Sequence, residues 1–331
     1  MHGNTVSLAV TIAGLTMLTI APFAWGQSAA APAYPVKPVR IINPVAPGGN
    51  QDIVARAYAE QLGKSLGQPF VVESRPGANA IIGTRYVRSA AADGYTLLAI
   101  SNTFVRTPLL VKDAGYDAQK EFASISQTSD VPLVLVITPT LPVRDIKEFI
   151  ALAKRRPGEI SSGSSGRGST GHVAAERFSR QAGIRLLHVQ YKGAAPAVID
   201  LIGGHIMLRF DQASTSIAHI RSGKLRALGV TSRKRATLLP NVPTIDEAGL
   251  PGFEDTTFNG LMAPAGTPQI ILERLRAEVA KIATLGEVQK RYRELGIELL
   301  ASNSTDEFAA FLRKHIEDFS KLAREADLIE K

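Results

Sequence analysis

Two spacings of hydrophobic positions alternate along the chain. Short apolar runs at 39–43, 70–73 and 95–100 have the length and bounding turns of strands. Between them lie stretches with the helical period. One is 53–66, which sets Val54, Tyr58 and Leu62 on one face, and the other is 81–91. Arg75-Pro76-Gly77 and Asp93-Gly94 supply turns. This β-α-β-α-β rhythm predicts a parallel sheet with helices on its faces, because parallel neighbours need a crossover. A second series follows, with strands at 133–137, 160–163, 187–190, 206–210 and 225–231. Its helices lie at 145–153, 173–181, 194–202 and 214–221, and several are stopped by glycine. The last part is helical. Ile271, Leu275, Val279 and Ile282 form one apolar stripe, and Phe308, Leu312, Ile316 and Phe319 another. With no third sheet to cover, these helices return to the first. The chain then crosses twice, near 130–133 and 253–260, between two α/β lobes: 34–131 with 253–331, and 132–252. Two crossings between two lobes describe a hinged clamshell.

The first 33 residues stand apart. They hold no Asp, Glu, Lys or Arg, and the apolar run 6–25 is followed by Gly26-Gln27-Ser28-Ala29-Ala30-Ala31-Pro32-Ala33. An apolar core with a small-residue exit reads as a cleaved signal peptide over 1–33. The alternative is an uncleaved anchor, since the run approaches spanning length. Thr, Gly and Pro interruptions favour cleavage, which places the mature protein free in the periplasm.

The 331 residues allow two domains, and 45% hydrophobic content is enough for two cores. The net charge of +8 is scattered, with Arg233-Lys234-Arg235 the densest cluster. No basic stripe is interleaved with aromatics, so nucleic acid is not expected as a partner. Attraction of small anions, or solubility, accounts for the charge. The chain has no cysteine, which excludes disulfides, thiolate metal sites, a Cys nucleophile and a lipid-anchoring Cys. Its six histidines lack metal-ligand spacing. No metal and no cofactor are expected.

Two glycine-rich loops carry the candidate chemistry. Val45-Ala46-Pro47-Gly48-Gly49-Asn50-Gln51-Asp52 and Gly163-Ser164-Ser165-Gly166-Arg167-Gly168-Ser169-Thr170-Gly171-His172 each run from a strand into a helix start. Helix starts present unpaired N–H groups and partial positive charge, and glycine lets a ligand approach the backbone closely. Two such loops facing each other predict a clamp for a small anion. The Gly166-x-Gly168-x-x-Gly171 spacing matches a dinucleotide fingerprint. However, Ile160-Ser161-Ser162 is a polar strand, and no acidic residue follows at 186–191, so NAD binding is discounted. Asp52 can cap its own helix or line a pocket. Asp211 ends a strand at a ligand-binding sheet edge, or caps the helix near Ser214. His172 with Ser164 or Ser165 and Asp211 would suggest an exported hydrolase, but no G-x-S-x-G elbow is present. A helix N-terminus disfavours imidazolium, so a neutral His172 donating to a ligand is more natural.

The ordered motifs resemble one family. Tyr34-Pro35, Pro47-Gly48-Gly49-x-x-Asp52, Ala55-Arg56, Val72-Glu73-Ser74-Arg75-Pro76-Gly77-Ala78, Asp93-Gly94-Tyr95-Thr96-Leu97-Leu98, Tyr191-Lys192-Gly193 and Gly223-Lys224-Leu225-Arg226-Ala227-Leu228 recur in sequence order. So do Pro240-x-Val242-Pro243-Thr244 and Ala263-Pro264-x-Gly266-Thr267-Pro268. With the second glycine loop they resemble the Bug-type solute-binding receptors of tripartite tricarboxylate transporters, over essentially the whole mature chain. Ser74 stands for a usual Asn, Phe258 for a common Trp, and Glu121-Phe122 for Asp-Phe. The resemblance implies a two-lobed periplasmic-binding-protein (Venus-flytrap) fold, each lobe a mostly parallel sheet flanked by helices. It implies a monomeric receptor, not an enzyme, that closes on a small carboxylate and delivers it to membrane permease subunits. A receptor feeding a sensor kinase is the variant of this reading. The acid would be held by backbone N–H groups, hydroxyls and waters. Carried over, the ligand-binding residues are Ala46, Pro47, Gly48, Gly49 and Asp52, with Asn102 and Thr103 of the loop 101–104. From the other lobe come Ser164, Ser165, Gly166, Gly168, Ser169, His172, Tyr191 and Asp211. Arg167 either contacts a second carboxylate or faces solvent.

Overall fold

The computed structural model describes residues 1–3, 34–325 and 329. The signal-peptide expectation therefore lies, beyond its first three residues, outside the described residues. In chain order the elements are β1 (Val39–Asn43), α1 (Asn50–Leu66), β2 (Phe70–Ser74), α2 (Ile81–Arg88), β3 (Thr96–Ser101), α3 (Asn102–Leu110) and β4 (Phe122–Ile137). Next come α4 (Ile146–Arg155), β5 (Ser161–Ser164), α5 (Thr170–Ala182), β6 (Leu187–Gln190), α6 (Ala194–Ile202), β7 (Leu208–Gln212), α7 (Ala213–Arg221) and β8 (Arg226–Val230). The chain ends with β9 (Thr256–Pro264), α8 (Gln269–Ala283), α9 (Gly286–Arg293), β10 (Glu298–Leu299) and α10 (Thr305–Glu325).

β1 runs parallel to both β2 and β3, as the alternating pattern requires. β5 is likewise parallel to β6 and β7. The sheet as a whole is mixed, with order β2-β1-β3-β9-β4-β7-β5-β6 and with β8 and β10 also paired to β4. The antiparallel pairs are those of β9 with β3 and β4, and of β4 with β7, β8 and β10. The sequence reading put a chain crossing at 253–260, where the C-terminal helices return to the first lobe, and β9 occupies most of that stretch. Gly260 is needed for packing: a Cβ there would lie 2.3 Å from the Phe308 ring.

β4 joins the two halves. Its residues 122–132 pair with β9, from Phe122 opposite Pro264 to Pro132 opposite Thr256. Residues 133–137 pair with β7, and 134–137 with β8. One strand thus belongs to both sheets and changes partners at Pro132/Leu133. On the first sheet, Val54, Tyr58 and Leu62 of α1 meet Leu275 and Val279 of α8 on one face. Phe104, Phe308 and Leu312 cover the other. On the second sheet, Phe149, Phe178 and Phe210 fill one face, and Val198, Leu201 and Ile217 the other. Each such side chain contributes about 1.5–3 kcal/mol by leaving water. Phe319 departs from its stripe and packs with Leu110 and with Val173 of α5.

The segment 101–104 is a helix start rather than a loop. Asn102 Nδ2 donates to Thr256 O at 3.0 Å, and Phe258 N donates to Asn102 Oδ1 at 2.9 Å. This amide pins the end of β3 to β9, so α3 begins with no intervening loop.

Candidate functional site

Six helices begin on one cavity of about 550 Å³. The residues preceding them, Gly49 (α1), Ala80 (α2), Ser101 (α3), Ser169 (α5), Gly193 (α6) and Gln212 (α7), all line it. The cause is topological. Each helix follows a strand of a parallel group, so every one starts at the carboxyl edge of its sheet. Only Ser169 caps its helix with its own side chain, accepting from His172 N. The other five have no side-chain cap. Each such terminus carries N–H donors and about half a positive charge. The described lining has two charged side chains, Arg167 and Lys192, and no carboxylate.

In the first loop Ala46 and Gly49 line the cavity, while Pro47 and Gly48 are exposed outside it. Asp52 does not line it either. Its Oδ2 accepts from Gly48 N at 3.0 Å and Arg56 Nε at 3.0 Å, and its Oδ1 from Asn43 Nδ2 at 3.2 Å. The carboxylate thus ties the loop to the first turn of α1 without capping a helical N–H, and keeps a negative charge off the cavity wall. Asn102 is occupied by β9, as described above, but Ser101 and Thr103 on either side reach the cavity.

In the second loop Ser165, Gly166 and Ser169 line the cavity together with Arg167 and Thr170. Ser164, Gly168 and His172 lie behind them. Ser164 Oγ is 2.7 Å from His188 Nε2 and donates to Gly166 O at 3.0 Å. Gly168 N donates to His172 Nδ1 at 3.0 Å, and the His172 and His188 rings stack with centroids 3.9 Å apart. An accepting Nδ1 makes His172 neutral, and its pKa is lowered to about 3. Burial is the main cause, followed by His188, Arg167 and Arg106. The neutral state is the one the sequence reading expected, with burial as its main cause. His172 serves the loop rather than the cavity.

Tyr191 lines the cavity, with its hydroxyl donating to Asp200 Oδ2 at 2.7 Å. Asp211 does not. It is fully buried, with Oδ1 2.7 Å from Arg209 Nε and Oδ2 accepting from Thr215 Oγ1 at 2.6 Å. Successive strand residues face opposite sides, so Gln212 takes the cavity position instead. These contacts also leave the hydrolase constellation unassembled: Ser164 pairs with His188, and Asp211 with Arg209.

Sequence reasoning missed the run 76–80. Ala78, Asn79 and Ala80 all line the cavity with φ of 46°, 51° and 72°. Left-handed alanine is costly, and no residue preference announces it. Thr107 Oγ1 donating to Asn79 O at 3.1 Å holds the run. Gly193 and Gln212 were also missed, although a glycine before the apolar helix at 194–202 was a readable signal. Residues of the two halves approach each other beside the cavity. A Cβ on Gly193 would lie 2.8 Å from Ala46 Cβ, one on Gly49 3.7 Å from Ala194 Cβ, and Ser214 Oγ donates to Asn50 Oδ1 at 3.0 Å.

A two-lobed α/β protein with a cleft lined by helix N-termini is a solute-binding receptor of the Venus-flytrap class. The chain belongs to the tripartite tricarboxylate transporter family of receptors (TctC), whose family model matches residues 54–331. A structure from R. palustris with adipate is similar, with a TM-score of 0.86 and 33% identity over 89% of this chain and 98% of that one. The periplasmic binding protein BugD has a TM-score of 0.85 and 34% identity, over 90% of this chain and 100% of BugD. MatC from Rhodopseudomonas palustris, with bound malate, has a TM-score of 0.81 and 28% identity, over 90% of this chain and 100% of MatC. The chain is a binding receptor and not an enzyme, and it belongs to a family of periplasmic solute-binding proteins.

Proposed function

We propose that this receptor captures a small organic acid in the cleft and delivers it to the permease subunits of a tripartite transporter. It acts in the periplasm, as a monomer freed of residues 1–33. Its lobes are 34–131 with 253–331, and 132–252. The observation that carries the reading is the convergence of six helix N-termini with Arg167 and Lys192 on a cavity that no carboxylate lines among the described residues. Such donors are already oriented, so an anion gains charge-assisted hydrogen bonds at little entropic cost. Adipate and malate, bound in the two R. palustris structures, are both dicarboxylates. Of the residues carried over from the family, Ala46, Gly49, Thr103, Ser165, Gly166, Ser169 and Tyr191 are the contacts, joined by Arg167. A ligand ammonium would meet no counter-charge in this lining, which favours unsubstituted or hydroxylated acids over amino acids.

A thermal-shift screen of di- and tricarboxylates, aromatic acids, acidic amino acids and neutral sugars tests this. An acid at a hundred times its Kd stabilises by about 2.7 kcal/mol. A sugar or a cation that shifts melting while every acid leaves it unmoved refutes the proposal.

A further inference from the structure

Asn50 is the first residue of α1, lines the cavity and is 3% exposed. Its amide is half used. Oδ1 accepts from Ser214 Oγ of α7, on the opposite lobe, at 3.0 Å, whereas Nδ2 has no hydrogen-bond partner. A buried donor without an acceptor is costly. Nδ2 is covered in this conformation, and the cavity that Asn50 lines, beside the uncapped N-terminus of a 17-residue helix, is where a small turn of the side chain brings it to an acceptor.

We infer that Asn50 is a ligand-sensing latch: Nδ2 donates to a carboxylate oxygen of the bound acid while Oδ1 holds Ser214 across the cleft. The inference rests on the carboxylate reading of the cavity. A serine hydroxyl can donate or accept, so Ser214 alone does not decide which end of the amide it meets. An anion only accepts. It therefore fixes Nδ2 toward the cavity and leaves Oδ1 for Ser214. One side chain then makes a contact to the ligand and a contact between lobes that support each other. That is the differential interaction a ligand needs to favour a closed state. The latch adds a hydrogen bond to the close approaches of Ala46 to Gly193 and of Gly49 to Ala194.

The test compares the wild-type mature chain with Asn50→Asp and Ser214→Ala by calorimetric titration of adipate and malate. If neither binds, the acid with the largest thermal shift in the screen is used. Aspartate is favourable in the first turn of a helix, so Asn50→Asp folds. It keeps an oxygen for Ser214, loses the donor and sets a negative charge against the ligand. Its affinity falls about 100-fold or more. Ser214→Ala keeps Nδ2 but loses the bond between lobes. Its affinity falls roughly three- to tenfold, and the ligand-induced decrease in radius of gyration by small-angle scattering becomes smaller. Wild-type binding with Asn50→Asp within threefold of it overturns the latch alone. A wild type that binds no acid overturns the carboxylate reading and the latch together.

Discussion

His172 does its work one layer behind the cleft. Its Nδ1 accepts from Gly168 N only while the ring is neutral, and burial lowers its pKa to about 3. The unfolded chain takes up this proton near pH 6.5, which the folded chain refuses. Stability from this group is therefore complete above about pH 6.5 and falls as the pH drops toward 3, by up to about 1.4 kcal/mol per unit. Melting temperatures measured from pH 7.5 to 4 should fall accordingly. His172→Asn, which can accept from Gly168 through Oδ1, should fall less steeply. Equal slopes would mean the acid sensitivity arises elsewhere, for instance at His188, whose pKa burial also lowers. Residues such as His172, Ser164 and Asp52 could be read from sequence as belonging to a loop. Which side of the loop they face could not: for His172 and Ser164 it depends on His188 arriving from β6, and for Asp52 on Asn43 of β1 meeting one oxygen while Gly48 and Arg56 meet the other.

At the scale of elements, the cleft is an arrangement of helix starts, and closure depends on how near they come. Ala46 and Gly193 meet with no room for a larger side chain. Ala46→Leu should weaken acid binding about ten- to hundredfold, the equivalent of the 1–3 kcal/mol that overpacking costs. The unliganded protein should melt as before, since Ala46 is only half-buried in its own lobe. Titration calorimetry and melting curves read the two effects separately, and unchanged affinity would rule out this contact as a limit on closure. Five of the six helices were legible, read as beginning at 53, 81, 173, 194 and 214, and glycine loops marked two of their starts as cleft walls. The start at Ser101 was not, since β3 passes directly into α3 there with no turn residue to signal it.

Across the whole molecule, a buried ionic group ties the return of the chain to both lobes. Asp255, just before β9, is 3.9 Å from Arg106 of α3 and 3.3 Å from Arg177 of α5. Removing one partner from such a group strands a buried charge, so Asp255→Ala should lose about 3–5 kcal/mol by urea unfolding. The neighbouring exposed pair Arg233–Glu254 should matter far less, and Glu254→Ala should leave the midpoint near wild type. Equal losses from the two variants would show that the buried group has no special place in joining the lobes.

The amino-acid sequence by itself determined the alternation of strands and helices, the two glycine loops and the family, because periodicity, turn chemistry and ordered motifs are local along the chain. Tertiary structure alone decided what those pieces face. Asn102 is pinned to a carbonyl 154 residues away, Asp211 turns from the cleft and yields to Gln212 by one step of strand alternation, and Asn50 meets Ser214 164 residues on. Facing is set by register and by distant partners, and neither is encoded in any one stretch of residues.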